Sequence, residues 1–515
     1  MTATPSLFRP TLWRQLALFG LALLVALSVA PLVPALAGVP RAQPQLLALA
    51  AAQPGALVRV IVQKASREAA VEALVRAAGG QIVQDLSIIS GFSALLPAQQ
   101  AVALSRAAGV RWVSLDAPVA STACSQCVDS TSLANAYVKA VRADQVWNGS
   151  SYLQGKGIGV AVIDSGVNPQ QDLYTTSGAN RLVAAVAFNS GYNQSTSDGY
   201  GHGNHVAGII AGNGSRSGGS YIGIAPMANI ISVKVSDDQG GASASNVVSG
   251  LQWVLNNKNT YNIRVVNISI NSTVIDSYNT NPINAAAEIL WFNKIVVVVS
   301  AGNAGGGKVY PPANDPFVIT VGAADDKGTA SISDDTIPAF SSYGATIDGF
   351  AKPDLVAPGK NVIALMANQN SALAMAHPGN KVQKNDGTYF RMSGTSMAAP
   401  VVAGAVALLL QDEPGLTPDQ VKFRLKATAN KSWAAYSSAK AGAGYLDIAA
   451  AVSSSTTSSA NTNLAASKLL WSGSQPITWS SVNWNSVNWN SVNWNSVNWN
   501  SVNWNSVNWN SDDWS

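Results

Sequence analysis

Five apolar runs, each about the length of one β-strand, constrain the fold of this chain more than any other feature. They are "IGVAVID" (158–164), "NIISVKV" (229–235), "IRVVNISI" (263–270), "KIVVVVSAG" (294–302) and "FVITVGA" (317–323). Most of them lack the alternation of apolar and polar residues that a strand with one solvated face would have. Continuous apolar strands are typical of parallel sheets that are buried on both faces.

Helix-length segments separate these runs, among them "SNVVSGLQWVLNN" (245–257) and "INAAAEILWFN" (283–293). Repeated strand–helix–strand units predict an α/β fold, in which a doubly wound, mostly parallel sheet lies between layers of helices. We place this unit at residues 130–452. Ligands of such folds bind outside the carboxyl ends of the strands, so the strand ends are where a functional site is expected.

A smaller unit of interleaved strands and helices precedes the large one, at residues 45–120. We predict three strands, at 57–64, 91–97 and 110–119. Two helices, at 66–80 and 98–109, lie between them in the sequence. This pattern predicts a small α+β domain.

The first 37 residues have the pattern of a secretion signal. Arg9 and Arg14 precede an apolar run that begins at Leu16, and the small-residue motif Ala35-Leu36-Ala37 follows it. The apolar run is short for a membrane span, which disfavours a membrane anchor. We therefore predict a signal peptide at residues 1–37 and an exported, extracellular protein.

The only two cysteines of the chain, Cys124 and Cys127, form the motif "CSQC". They are too few for a structural zinc site with four ligands, and the βαβ context of a thioredoxin-like motif is missing. In an exported chain, a small local disulfide between them is the expected state.

Four polar residues stand at element boundaries of the large unit. Asp164 closes the first apolar run, and Asn303 follows the fourth. His202 lies where a short, glycine-flanked helix begins, and Ser396 lies where a second helix begins in "MSGTSMAAP". Taken singly, each has an ordinary structural explanation as a cap, a buried histidine or a turn residue.

Taken together, the four residues are the set that nucleophilic catalysis by serine requires. Serine is a weak nucleophile, so an imidazole must take its proton and a carboxylate must orient and stabilise that imidazole. The oxyanion then needs donors, such as an asparagine amide and a backbone N–H at a helix start. The other histidine of this motif, His205, is expected to be buried and structural.

The motifs that carry these residues resemble those of subtilisin-like serine proteases. The order Asp164, His202, Ser396 is the family's order, and it occurs within "VAVIDSGVN", "GHGNHVAG" and "GTSMAAPVVAGAVALLL". "VVVVSAGN", "GIAPMANI", "AFSSYG" and "KPDLVAPG" also match family motifs, and the resemblance covers about residues 135–450. Pro400 is expected in the first turn of the serine helix, where its missing N–H costs little.

The resemblance implies a serine endopeptidase with polypeptide substrates and no organic cofactor. Asp164 would orient His202, the general base; Ser396 would attack the scissile carbonyl. Asn303 would donate to the oxyanion. The low net charge of +4 and the lack of a Lys/Arg cluster give no reason to expect a nucleic-acid partner.

The resemblance also implies a substrate-binding pocket. Ser269, Ile270 and Asn271 would pair with the substrate backbone and form one wall of the primary specificity pocket, and Ala301 and Gly302 would form part of the opposite wall. An extended peptide would bind there by strand addition.

The chain departs from the family pattern at several positions. Asn204 stands where the family usually has Thr, and Asn271 where it usually has Gly, which leaves the preferred substrate side chain open. Asp172 resembles a family position that often ligates calcium, but "AGNGSRSGGSYIG" does not clearly match the accompanying loop, so no metal is assigned.

The segment "GFSALLPAQQAVALSRAAGVRWVSLD" resembles the inhibitory propeptide domain of the same family. The resemblance implies a zymogen in which the domain at 45–120 acts as an intramolecular inhibitor. The maturation bond would lie within 118–135 and is not placed further.

The C-terminal region is of low complexity. Residues 453–480 are predicted to be a Ser/Thr-rich linker, and "SVNWN" repeats six times in the tail at 481–515. The repeat fits a disordered or self-associating tail, or a tail that binds surfaces or carbohydrates through Trp faces. The alternative function is therefore a catalytically weak surface-binding protein that attaches through this tail.

Overall fold

The computed structural model describes residues 39–67, 70–117, 127–189 and 195–470. The chain divides into two compact units, with the boundary between Cys124 and Ser125. The predicted signal peptide (1–37) and repeat tail (481–515) lie outside the described residues.

The first unit contains a four-stranded antiparallel sheet with strand order β2-β3-β1-β4. Its elements are α1 (Pro44–Ala52), β1 (Leu57–Lys64), α2 (Ala70–Ala77), β2 (Gln81–Leu86), β3 (Gly91–Pro97), α3 (Ala98–Leu104) and β4 (Val110–Leu115). It has a hydrophobic core of its own, which includes Val60, Val62 and Phe92. α1 and β2 were not predicted from the sequence. β2 is an edge strand with little buried surface, so its residues carry no strong apolar pattern.

The second unit is built on a sheet of seven strands among the described residues, and all its strand pairs are parallel. The strand order is β13-β10-β9-β8-β5-β7-β6. These strands are β5 (Gly159–Asp164), β6 (Leu182–Ala187), β7 (Asn229–Lys234), β8 (Ile263–Ile268), β9 (Val296–Ser300), β10 (Ile319–Ala324) and β13 (Leu355–Pro358). The predicted α/β class with a doubly wound parallel sheet is confirmed.

Helices pack against this sheet, and the longest described one, Thr395–Asp412, is mostly buried. The helices of the unit are α4 (Ala136–Ala140), α5 (Asp144–Trp147), α6 (His202–Ala211), α7 (Ala244–Asn257), α8 (Pro282–Phe292), α9 (Ala372–Ala376), α10 (Thr395–Asp412), α11 (Pro418–Thr428), α12 (Ser438–Ala441) and α13 (Ile448–Ser453). α10 packs against α6 and against β8, β9 and β10. Of the residues described, only α10 is long and apolar enough to cross a membrane by length and composition, and 89% of that window is buried in the molecule.

Two small antiparallel sheets complete the unit. One pairs β11 (Gly344–Ala345) with β12 (Ala351–Lys352). The other has the order β14-β16-β15 and consists of β14 (Val362–Leu365), β15 (Lys381–Lys384) and β16 (Gly387–Met392). β16 ends at Met392, and α10, the helix that contains Ser396, begins three residues later at Thr395.

Pro400 lies deeper in α10 than the sequence analysis expected. The helix begins at Thr395, so Pro400 is in its interior and cannot donate the helical hydrogen bond to the carbonyl four residues earlier. That carbonyl belongs to Ser396, and it accepts a hydrogen bond from Ser269 Oγ at 3.1 Å instead. A side chain from the strand layer thus satisfies the group that the proline leaves without its helical donor.

The first part of the predicted linker packs on the second unit. The Arg424 guanidinium donates to the Thr456 carbonyl at 2.8 Å, and Asn461 Nδ2 donates to the Phe317 carbonyl at 3.0 Å. Ser467 N–H donates to Glu288 Oε2 at 2.7 Å. Over residues 454–470 the chain is therefore part of the folded body, although its composition predicted a linker for 453–480; the rest of that segment lies beyond the described residues.

Candidate active site

A buried carboxylate–imidazole pair forms the centre of the candidate site. Asp164 is the last residue of β5 and His202 is the first of α6. His202 Nδ1 lies 2.9 Å from Asp164 Oδ1 and 3.1 Å from Oδ2, and both side chains are fully buried. The approach of α6 to the strand end requires a glycine, because a Cβ on Gly203 would lie only 2.0 Å from the Gly166 carbonyl oxygen.

A second buried carboxylate lies behind this pair, and the sequence analysis missed it. Ser165 Oγ is 2.8 Å from Asp198 Oδ1 and 3.2 Å from Asp164 Oδ1, so one hydroxyl stands between two acids. Asp198 also accepts backbone N–H bonds from Gly201 and Asn204, at 2.7 Å and 2.8 Å, which fixes the first turn of α6. Burial raises the pKa of Asp198 to about 6, although these hydrogen bonds lower it.

Ser396 is the second residue of α10, and it faces the continuation of β8. Its hydroxyl donates to the Ser269 carbonyl at 3.3 Å, and the Ser269 hydroxyl donates to the Ser396 carbonyl at 3.1 Å. His202 and Ser396 therefore each stand at the start of a helix, and these two helices pack against each other. At such a helix start, backbone N–H groups without helical acceptors favour negative charge.

Asn303 is fixed by the residue that precedes Ser396. Thr395 donates to Asn303 Oδ1 twice, from its backbone N–H at 2.8 Å and from its hydroxyl at 2.9 Å. The Thr395 hydroxyl also accepts the Gly302 N–H at 3.0 Å. Because the carbonyl end of the Asn303 amide is bound to Thr395, the amide is oriented, and its NH₂ end is turned away from that contact.

The five residues of the expected pocket walls lie on two neighbouring strand continuations. Ser269, Ile270 and Asn271 follow β8, and Ala301 and Gly302 follow β9. β8 and β9 are adjacent and parallel, so their carboxyl ends leave the sheet side by side. The Asn271 side chain reaches across, since its Nδ2 donates to the Ser300 carbonyl at 3.0 Å.

His205 has a structural environment, in agreement with the expectation from sequence. It is fully buried, and its Nε2 lies 2.9 Å from the Phe390 carbonyl and 3.1 Å from that of Val362. Burial lowers the pKa of His205 to about 3, so the ring is neutral and Nε2 carries the proton that these carbonyls accept.

Protein donors surround Asp172, the position that resembles a calcium ligand. It is fully buried, and its oxygens accept hydrogen bonds from the Ser215 hydroxyl at 2.9 Å, from the Arg216 N–H at 2.7 Å and from the Tyr389 hydroxyl. These donors occupy most of the acceptor positions of the carboxylate. Over the described ranges, no group of three or more His, Cys, Asp or Glu side chains is arranged to hold a metal ion.

Two further positions from the sequence analysis can be placed. The Asn204 side chain accepts the Asn168 N–H at 2.8 Å and donates to the Asn168 carbonyl at 3.1 Å, so it binds the loop after β5 to α6. Cys127 is disulfide-bonded; Cys124, the chain's other cysteine, lies outside the described residues.

Comparison with known proteins adds independent evidence. A family model described as the subtilase family matches residues 155–445. The chain is 40% identical over 302 residues to "Serine protease AprX" of Bacillus subtilis (strain 168), covering 57% of this chain and 66% of that protein. It is 34% identical over 277 residues to "Subtilisin Savinase" of Lederbergia lenta, covering 54% of this chain and 85% of that protein. An "Alkaline protease" of Shouchella clausii is also 34% identical over 277 residues, and the chain covers 60% of its length.

The match to the family model lies within the second unit, and the chain spans just under two thirds of the first of these relatives. The matched region contains Asp164, His202, Asn303 and Ser396, together with both strand continuations that flank Ser396. Since the family model covers more than half of the chain and the sheet has the expected parallel form, the chain belongs to the subtilase family of subtilisin-like serine proteases.

Proposed function

We propose that this protein is a secreted serine endopeptidase that hydrolyses peptide bonds with Ser396, His202 and Asp164, and that it is made as a self-processing zymogen. The observation that carries the proposal is the buried hydrogen bond from His202 Nδ1 to Asp164 at 2.9 Å. A fully buried imidazole that donates from Nδ1 to a carboxylate presents Nε2 as a base.

The reaction follows from these positions. Ser396 Oγ attacks the carbonyl carbon of the scissile bond while His202 Nε2 takes its proton, and Asp164 stabilises the imidazolium that forms. The tetrahedral intermediate then collapses, and His202 gives the proton to the leaving amine. Water hydrolyses the acyl-enzyme by the same steps, with His202 again as the base and Ser396 as the leaving group.

Asn303 and the start of α10 act on the developing negative charge. The bonds from Thr395 hold the Asn303 amide in one orientation, and in the proposed reaction its NH₂ group donates to the oxyanion together with the Ser396 N–H. Preorganised donors of this kind stabilise the transition state without having to reorganise during the reaction. Subtilisin is the reference case for this effect, where loss of such an asparagine lowers kcat by about 10²–10³.

Secretion and zymogen maturation rest on the N-terminal part of the sequence. The charged and apolar pattern of residues 1–37 is that of a signal peptide. The first unit has a separate core, which fits a domain that can fold and inhibit as an intact body. The Trp-rich repeats at 481–515 are proposed to contact surfaces or carbohydrates, through aromatic faces.

The test compares wild type with Ser396→Ala by intact mass, N-terminal sequence and hydrolysis of a protein substrate. Wild type is expected to lose its N-terminal domain by cleavage within 118–135, and Ser396→Ala is expected to stay full length and inactive. Ser331→Ala, at an exposed serine, is the matched control and is expected to behave as wild type. Proteolysis by Ser396→Ala at the wild-type rate would exclude Ser396 as the nucleophile. A wild-type chain that cleaves nothing would favour the surface-binding alternative.

A further inference from the structure

The continuations of β8 and β9 lie on either side of the candidate nucleophile. The Ser269 carbonyl accepts the Ser396 hydroxyl on one side. On the other side, Gly302 and Asn303 are both bound to Thr395, the neighbour of Ser396. In the proposed reaction, the side chain next to the scissile carbonyl lies in the space between these two continuations, which is called the crevice below.

The Asn271 side chain already occupies the space between the two walls. Its Nδ2 donates to the Ser300 carbonyl at 3.0 Å, and its Oδ1 accepts from the Ser300 hydroxyl at 3.4 Å. A Cβ built on Gly302 would lie 3.5 Å from the same Oδ1. The amide thus contacts the β9 continuation at two successive places.

The opposite wall has a glycine, Gly302, at the position that faces the Asn271 amide. Gly302 has a φ of +102°, which disfavours any other residue, and a Cβ there would lie 3.3 Å from Ser342 Oγ. The backbone of this wall is fixed as well, because Ser342 N–H donates to the Gly302 carbonyl at 2.9 Å. Of the residues at this place, Asn271 is therefore the one whose side chain reaches from one continuation to the other.

We propose that Asn271 closes this crevice to long side chains, so that the enzyme prefers Ala, Gly or Ser on the acyl side of the cleaved bond. The proposal rests on the proposed function, since it concerns the substrate of that site. An aromatic side chain could enter only by displacing the Asn271 amide, and the buried Ser300 carbonyl would then lose its donor. A small side chain leaves both hydrogen bonds in place.

The experiment measures kcat/KM on peptides that differ only at the acyl-side residue, with Ala, Ser, Leu and Phe. Wild type is expected to favour Ala over Phe by about tenfold or more, the scale of discrimination that a pocket's shape provides. Asn271→Gly and Asn271→Ala are expected to raise the ratio of kcat/KM for Phe to kcat/KM for Ala about tenfold over that of wild type. Asn271→Asp keeps the volume of the side chain but loses the donor to the Ser300 carbonyl, so it is expected to discriminate against Phe less strongly than wild type.

A fluorophosphonate probe that reacts with active serine hydrolases separates the two proposals. If the probe labels Ser396 in every variant and wild type cleaves Phe as well as Ala, size restriction by Asn271 is wrong and the proposed function stands. A wild-type preference for long polar side chains that Asn271→Gly abolishes would also overturn the size restriction. If Ser396 is not labelled and no peptide is cleaved, the proposed function and this inference both fail.

Discussion

At the scale of single residues, the second carboxylate behind the Asp164–His202 pair deserves the first test. Ser165 has one hydroxyl proton and two carboxylates within reach, of which Asp198 is the nearer. The ionisable groups around Asp198 are Asp164 at the end of β5, His202 on α6 and Lys234 on β7. The Lys234 ammonium group donates to the carbonyl of the residue before Asp198 and to the Asp238 carboxylate. The charge of Asp198 therefore acts on the site in which, by the proposed mechanism, His202 gains and loses a proton.

The Asp198→Asn variant is expected to shift the acid limb of the kcat/KM profile to lower pH, by about 0.3–1 unit. Burial raises the pKa of Asp198 to about 6, so above that pH the wild-type residue is a buried anion that stabilises the His202 imidazolium. Without that anion the imidazolium loses its proton at a lower pH, so the neutral imidazole that acts as the base is present at a lower pH. Asp334→Asn, at an exposed acid, is the control and should leave the limb in place. An unchanged limb in Asp198→Asn would mean that Asp198 only caps α6.

At the scale of elements, the buried helix α10 packs closely against its neighbours at a glycine. Gly404 is in its interior, and a Cβ there would lie 2.6 Å from the Ile224 Cβ. Gly404→Ala is expected to lower the free energy of unfolding by about 1–3 kcal/mol, because overpacking outweighs the better helix propensity of Ala. Urea denaturation in the Ser396→Ala background measures this without autolysis.

Gly415→Ala provides the comparison, since Gly415 has a negative φ and a Cβ there would meet no atom within 4 Å. Its effect is expected to be neutral or a stabilisation of up to about 1 kcal/mol. Equal midpoints for Gly404→Ala and wild type would show that the Ile224 contact yields without cost.

Elements with a continuous apolar pattern could be predicted from the sequence, and elements at the margins could not. The five predicted strands of the large sheet agree with β5, β7, β8, β9 and β10 to within two residues at each end. The two missed strands, β6 and β13, are the edges of that sheet. β6 is half exposed along most of its length, and β13 has only four residues and ends in a proline, so neither carries a strong pattern.

The candidate site divides in the same way. Asp164, His202, Asn303 and Ser396 could be proposed because each follows a recognisable strand or begins a recognisable helix. The contacts of Asp198 with Ser165, and of Asn271 with Ser300, depend on how separate elements pack, and no local pattern encodes that. For the same reason the Ser/Thr-rich composition after residue 453 predicted a linker, whereas Asn461 and Ser467 find hydrogen-bond partners on distant parts of the unit.

At the scale of the whole molecule, a buried pair of acids joins distant parts of the second unit. Glu288 on α8 accepts the Ser467 N–H of the C-terminal segment at 2.7 Å. Asp315 accepts from Asn284 Nδ2 at 3.1 Å and from the Phe317 N–H at 2.8 Å. The two carboxyl groups are fully buried, and they lie close enough for the charge of Asp315 to raise the pKa of Glu288.

This pair should make stability fall as the pH rises through about 6. Burial raises the pKa of Asp315 to about 6, although the nearby charges of Lys352 and Lys422 lower it. Burial, and to a smaller extent the charge of Asp315, raises the pKa of Glu288 well above its usual value. The folded chain therefore holds protons that the unfolded chain has already released. This contribution is complete below the unfolded pKa values of about 4, and it is lost as the pH rises through the folded ones.

Glu288→Gln is expected to flatten this dependence while leaving stability near pH 4 little changed. Gln can still accept the Ser467 N–H, so this hydrogen bond survives while one titrating proton is removed. Each such proton contributes a slope of at most about 1.4 kcal/mol per pH unit. Urea midpoints of the full chain in the Ser396→Ala background, from pH 4 to 8, measure the slope. Asp386→Asn, at an exposed acid, should retain the parent slope. If Glu288→Gln also retains the parent slope, the proton of Glu288 does not cause the decline in stability. The decline must then come from other buried acids such as Asp326 and Asp335, whose pKa values burial also raises to about 6.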